Sequence, residues 1–528
     1  MEQLFILGIG GTGMRCLEAF VHLCAMGMLD DKEVHILALD TDLENGNFHR
    51  LKSLITEGYQ KAKGMNKDRH VALKDTFFSA KIKLYTFSPN YSQQQTGRFN
   101  RVMSLIDEPQ EVRDFANLMF TDAVQNFDLK HGYRTQTHIG SLLMYHALRQ
   151  EAEKAESELS KFLKTLVDAT ITGKPKVFVM GSVFGGTGAS SIPIIPKAFN
   201  DIASRTMEGK NLSNALFGSI LLTNYFTFDP ADKSEKTAQQ IIADAKNFAM
   251  NSQAALMFYE DDNTVKTTYR HFYMLGTDDS QYKPIENQNK TITGGAAQRN
   301  DSHYIELMAA SAAYDFFTSD NVSFDDAGQS RYYFRTVDAN GVLDFKDFID
   351  AHEADFRKKW TLFTALSFLT NLDNTDVVAA LKQGKWQNDK KEVVAEYMTM
   401  HNDEVKGLKH YFNLYHFDVH SPDRFDGWLR QLHRSARGKD NLLFNATMFS
   451  KNVQNFAYQT IFSRKEYEKH NFKATSIMSI KREGNAGDAF DVFKKQFLLM
   501  QEDKSFTNSC ERLTKRMYDT LSKMYQFK

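Results

Sequence analysis

Little in this chain of 528 residues could crosslink it or carry it across a bilayer. Its three cysteines, Cys16, Cys24 and Cys510, exclude a disulfide framework, and no two of them stand at zinc-ligand spacing. Every apolar run is cut by Gly, Pro or a charge before roughly 18 residues, which excludes a spanning helix, and residues 1–7 lack the basic start of a signal peptide. The expectation is a reducing, cytoplasmic setting with no membrane segment. Net charge is missing too: 65 Lys+Arg stand against 66 Asp+Glu. That balance gives no electrostatic reason to propose nucleic acid or an anionic surface as partner. No GxxxxGK[ST] occurs, so a Walker P-loop is excluded. No internal repeat is visible.

What remains is a globular composition, 42% apolar and 25% charged, in a chain too long for one ordinary core. Two domains are expected, with at least one sizeable insertion. Aromatics make up 12%, including 42 Phe and 21 Tyr, which implies extra packing surface.

The organising stretch is residues 177–199, VFVMGSVFGGTGASSIPIIPKAF. Residues 177–180 read as a buried strand, Gly185, Gly186, Thr187 and Gly188 as a tight turn open to positive φ, and residues 189–198 as a helix. A turn of this kind gathers unpaired backbone N–H groups at a helix start, which makes an anion site. A second such unit opens the chain. Residues 4–7 form a strand, Gly8-Ile9-Gly10-Gly11-Thr12-Gly13 a glycine turn, and residues 14–28 an apolar helix. Packing alone accounts for one glycine turn in an α/β fold. A nucleotide's phosphates between two helix starts account for both.

Between them, residues 34–39 form a strand ending in Asp40-Thr41-Asp42, acids at the edge where α/β sheets bind ligands. A helix cap or loop ion pair explains those acids equally well. Residues 45–80 read as helix and loop, 81–87 as a third strand, and about 88–130 as an insertion with helices near 101–106 and 112–127. Residues 139–167 have one long helical pattern, and 218–225 a further strand. Short strands follow at 256–259 and 272–275, then a central helix over 300–317, apolar on nearly all faces. Residues 331–345 give a hairpin signal, RYYFRTV-DANG-VLDF. Beyond lie helices, with strands near 412–419 and 475–480. His416, Asp418 and His420 would share one face of such a strand. With no fourth ligand in view, no metal site is assigned there. His138 and His303 stand near the nucleotide motifs, where packing or capping is the commoner role.

Taken together, these motifs resemble the tubulin/FtsZ GTPase superfamily, in particular its divergent bacterial tubulin-like branch. GIGGTG (8–13) is similar to the first nucleotide loop, LALDTD (37–42) to the strand ending in a Thr-Asp pair, and FGGTGASSIP (184–193) to the GGGTGTGAAP signature. In that last motif Phe184 and Ser190 replace glycines. YFTFDPADK (225–233) resembles the ribose-holding segment, with Asp229 and Lys233 in its acid and base positions. TQTHIG (135–140) resembles the loop facing the terminal phosphate, which implies Arg134 as a phosphate-side cation. Asn300 and Asp301 resemble the base-reading pair. LDFKD (343–347) is similar to the loop whose acids complete hydrolysis in the next subunit, which implies catalytic roles for Asp344 and Asp347.

The resemblance implies a mostly parallel α/β nucleotide domain over residues 1–320 and a helix-rich α+β region over 321–528. It also implies GTP or GDP with Mg²⁺, hydrolysis to GDP and phosphate, and head-to-tail self-association. The C-terminal region would offer a partner or polymer surface. Two other readings stay open: a nucleotide-bound switch or scaffold that does not polymerise, and a Rossmann-type NAD(P) protein with Asp40 on a ribose. The second explains only the first glycine turn.

Overall fold

The computed structural model describes residues 1–42, 45–66, 77–89, 97–127, 129, 133, 136–206, 211–227, 245–277, 283–284, 300–337, 343, 345–370, 403–416, 427–435, 496–500 and 509–524. The strands are β1 (Glu2–Ile9), β2 (Lys32–Leu39), β3 (Lys81–Phe87), β4 (Lys176–Ser182), β5 (Leu216–Leu222), β6 (Phe226–Thr227), β7 (Tyr269–Thr277), β8 (Lys283–Pro284) and β9 (Arg331–Val337). Seven form one sheet in the order β3-β2-β1-β4-β5-β7-β9, every neighbouring pair parallel; β6 and β8 pair apart. The sheet is therefore of the α/β kind, and its central strands are covered on both faces. The continuous apolar runs of β1 and β4 follow from that, since neither face may be polar.

One face carries the first helix (Gly10–Ala25), the segment 46–66 and the central helix (Tyr304–Thr318). The other carries the helices Thr137–Ala152, Glu158–Thr172 and Ile195–Thr206. The described helices beyond residue 350 join the first of these cores. Trp360, Tyr411 and Trp428, from Glu353–Thr370, Asp403–His416 and Trp428–Ser435, are fully buried in the core that holds the first helix. Trp428 lies 4.2 Å from the His22 ring of that helix, between centroids.

Several elements differ from the sequence reading. Residues 256–259 are helical, within Phe248–Asp261, whose buried positions Phe248, Ser252 and Tyr259 follow a helical period; an apolar run this short has no period of its own. The expected hairpin is absent among the described residues: β9 pairs parallel with β7, and Phe345–Phe348 is a short helix. The long pattern over 139–167 is two helices, because Ser157 accepts from the Ser160 amide at 3.1 Å and caps a fresh start. The helix expected over 189–198 divides into Gly186–Ser191 and Ile195–Thr206, where Pro193 has no N–H to carry it on. Residues 412–416 end the helix Asp403–His416 rather than a strand, while 417–420 and the expected strand 475–480 lie outside the described residues.

Candidate nucleotide site

Strand order reverses between β1 and β4: β2 and β3 lie to one side, β5, β7 and β9 to the other. In a doubly wound sheet the carboxyl ends at that reversal open a crevice. Both glycine turns stand there, because they leave β1 and β4, which are neighbours with Gly8 opposite Met180. Gly10 has φ 68°, and a Cβ on it would lie 3.4 Å from the Thr187 Cβ. Thr41, at the end of β2, meets Thr187 hydroxyl to hydroxyl at 3.1 Å.

Neither helix that starts here has a side-chain cap. Ile9 precedes the first and Gly185 the second, and neither has a side-chain oxygen to accept from the orphan amides of the opening turn. Gly11, Gly185, Gly186 and Thr187 are only half-buried, while Thr12 and Gly13 are buried. One expectation is corrected: Gly185, Gly186 and Gly188 do not have positive φ. Close packing demands the glycine at 188, where a Cβ would sit 2.5 Å from the Ser182 carbonyl oxygen. Gly13 is the same case, with a Cβ 2.8 Å from the Met180 oxygen. Phe184, where a glycine was expected, packs its ring 4.7 Å from Phe248 and 5.5 Å from Phe226.

Asp40 and Asp42 are both buried at this edge. Asp40 accepts from the Asp42 amide at 3.2 Å, but its Oδ2 has no hydrogen-bond partner among the described residues. Burial pushes this carboxyl up to about 7, against the hydrogen bond from the Asp42 amide, while the Asp42 charge adds to the rise.

A different chemistry holds the turn before the central helix. Asn300 is buried, and its Oδ1 accepts from Arg15 Nη1 at 3.0 Å and Asn47 Nδ2 at 3.1 Å; its amide donates to Asn47 Oδ1 at 3.1 Å. Arg15 also donates from Nε to Glu306 at 2.5 Å and from Nη2 to the Tyr225 hydroxyl at 2.6 Å, which donates to Glu306 at 2.7 Å. Burial opposes the charge on Arg15, yet Tyr225 and Glu306 hold its pKa above the ordinary guanidinium value. For Glu306 burial dominates and raises the pKa, against the pull of Arg15.

His303 is the cap of the central helix: its Nδ1 accepts from the Ile305 amide at 3.2 Å, and Glu306 accepts from the His303 amide at 2.9 Å, a reciprocal capping box. Asp301, next to Asn300, is exposed, and so is His138, near the start of Thr137–Ala152. Asp347 lies in the helix Phe345–Phe348, where its carbonyl accepts from Arg335. Arg134, Asp229, Lys233 and Asp344 lie outside the described residues.

Sequence reasoning passed over Arg15, Asn47 and Glu306, and placed Tyr225 only at the head of the ribose-like segment. A signal existed for two of them. Arg15 is the one Arg or Lys within residues 10–25, and Glu306 the one acid in the first eleven residues of an otherwise apolar central helix. A buried cation and a buried acid on two apolar helices each need a partner, and each is a candidate for the other, although Glu18 on the first helix competes for Arg15.

No family model matches the chain, and no curated protein matches its sequence. Solved structures that resemble it include CetZ from Methanosaeta thermophila strain DSM 6194, 14% identical, with 52% of this chain and 46% of that one covered and a TM-score of 0.22. An FtsZ mutant from M. jannaschii is 13% identical, with 52% and 46% covered and a TM-score of 0.21. The GTPγS-bound protofilament of CetZ2 from Haloferax volcanii is 12% identical, with 61% of each chain covered and a TM-score of 0.24. The chain thus matches only about half the length of the first two.

Proposed function

We propose that the chain is a guanine-nucleotide-binding GTPase of the tubulin/FtsZ kind, working in the cytoplasm by head-to-tail self-association. Residues 1–320 would be its nucleotide domain, and residues 321–528 would supply a partner or polymer surface. The observation that carries this is the meeting of two uncapped helix starts, at Gly10 and Gly186, where the sheet order reverses. A phosphate chain fits there, because neither helix start has a side-chain cap and a side chain on Gly10 would close the gap to Thr187. Gly10, Gly11, Thr12, Gly13, Gly185, Gly186, Thr187 and Gly188 would hold the phosphates, with Arg134 on their outer side. Asp229 and Lys233 would hold the ribose, and Asn300 and Asp301 the base. Asp40 and Asp42 fit the Mg²⁺ side, where the Oδ2 of Asp40 has no partner among the described residues.

Bound Mg²⁺ would supply charge neutralisation on the phosphates. The protein's own part is positioning: the amides fix the phosphates, and a water is polarised by Asp344 and Asp347 of a neighbouring copy. A dinucleotide oxidoreductase shares this sheet order, but it leaves the turn at Gly185 to Gly188 unexplained.

The test is the dependence of GTP turnover on protein concentration. Turnover per subunit should rise steeply with concentration, and Asp344→Ala should bind GTP yet hydrolyse it slowly. Mixing that variant with Gly186→Val, which should not bind nucleotide, should partly restore activity. Turnover independent of concentration, with Asp344→Ala like the parent, would instead mark a self-contained switch.

A further inference from the structure

We infer that Gln431, far along the chain on the helix Trp428–Ser435, is a positioning residue for the base end of the nucleotide site. The inference rests on the nucleotide reading above and adds a contributor from the C-terminal region.

The backbone amides at the head of the central helix need acceptors. Helix starts leave such groups without intrahelical partners. Here the His303 and Ile305 amides are satisfied locally, by Glu306 and by the His303 ring. Those of Ser302 and Tyr304 are satisfied from the C-terminal region: Ser302 N donates to Gln431 Oε1 at 3.0 Å and Tyr304 N to Ser435 Oγ at 2.9 Å. Gln431 and Ser435 are four residues apart on one helix, so they face the same way.

The same Gln431 Oε1 accepts from Arg50 Nη1 at 3.1 Å, and Arg50 Nε donates to Glu18 at 2.8 Å. Arg50 lies on the helix Gly46–Ser53 three positions after Asn47, the residue whose carboxamide exchanges two hydrogen bonds with Asn300. Asn47 also lies against the first glycine turn, with Nδ2 3.4 Å from where a Gly11 Cβ would be. One buried oxygen thus ties together the helix after β2, the turn at 300–304 and a helix 129 positions beyond Ser302. The docking is firm, since Trp428 and Leu432 on that helix are fully buried. Without the oxygen, the Ser302 amide and a guanidinium N–H are left buried and unpaired. The turn can relieve that only by moving, and Asn300 moves with it.

Because the oxygen only accepts, Gln431→Glu keeps the function and Gln431→Leu, similar in size, removes it. The experiment measures the affinity of the full chain for GTP and for inorganic tripolyphosphate, which has no base. Gln431→Leu should lose about tenfold in GTP affinity with tripolyphosphate unchanged, and Gln431→Glu should stay within about threefold of the parent. If Gln431→Leu does not fold, Ser435→Ala, which removes only the Tyr304 acceptor, should show the same selective loss at about threefold. GTP affinity equal to the parent's in the folded variants overturns the inference, and so does an equal loss for both probes, which would mark a merely structural role. A parent that binds tripolyphosphate as tightly as GTP overturns the nucleotide reading, and the inference with it.

Discussion

The two ends of the candidate site are built from opposite materials. At the proposed phosphate end the groups on offer are backbone amides, the side chains are hydrogen or small, and of the two buried carboxyls, Asp40 and Asp42, the first keeps an oxygen without a partner among the described residues. At the base end, Arg15, Glu306, Tyr225, Asn300 and Asn47 lie in one buried network. The difference teaches what each end has to do. Amides at a helix start bind any anion that reaches them. Choosing one base over another requires side-chain donors and acceptors held at fixed points, and a buried network supplies that fixity.

The proposed base end is the more costly of the two to break. Arg15→Met leaves Glu306 buried beside an apolar side chain, and the loss of stability should be about 3–5 kcal/mol by denaturant unfolding. Adding Glu306→Gln should recover most of it; no recovery would mean that packing, and not charge, holds that end. The second effect belongs to Asp40. Its folded pKa, about 7, lies above its ordinary value of 3.8, so the folded protein holds a proton that the unfolded chain has released. This contribution to stability is complete below about pH 4 and is lost as pH rises through 7, by up to about 4 kcal/mol. Asp40→Asn should remove it, seen as a change in the pH slope of unfolding relative to the parent. Equal slopes would show that the carboxyl is not held in this environment.

Gly188→Ala should cost about 3 kcal/mol, since the added carbon meets backbone oxygen that cannot swing aside. Gly186→Val serves as its contrast: binding of GTP should be lost with the fold kept. The smallest effect is at Asn300→Ala, which should weaken GTP binding by roughly 1–3 kcal/mol while leaving tripolyphosphate alone. Weakening of both by the same factor would erase the distinction between the two ends.

The same contrast explains what could be read in the sequence. A glycine turn between an apolar strand and an apolar helix is a contiguous signal, and both turns stand where their flanking residues place them. The parallel sheet is legible for the same reason, through continuous apolar runs such as FILGI and VFVMG. The proposed base end is assembled from positions 15, 47, 225, 300 and 306, which no local pattern connects: Asn47 reads as ordinary helix-and-loop polarity, and Tyr225 as the end of a strand and the head of the ribose-like motif. The strand β9 was misread because a turn signal, Asp338 to Gly341, outweighed the possibility that RYYFRTV pairs in parallel with a strand sixty residues earlier. Nor does periodicity show that helices beyond residue 350 share a core with the first helix, since it gives a buried face without naming what covers it.

The central claim is that one guanine nucleotide spans both ends, and competition for a bound fluorescent GTP analogue tests it most directly. Unlabelled GTP should displace the analogue, ATP should need at least about tenfold more because it presents the wrong edge to Asn300, and NADH should not compete. Displacement by ATP or NADH as readily as by GTP would contradict the account.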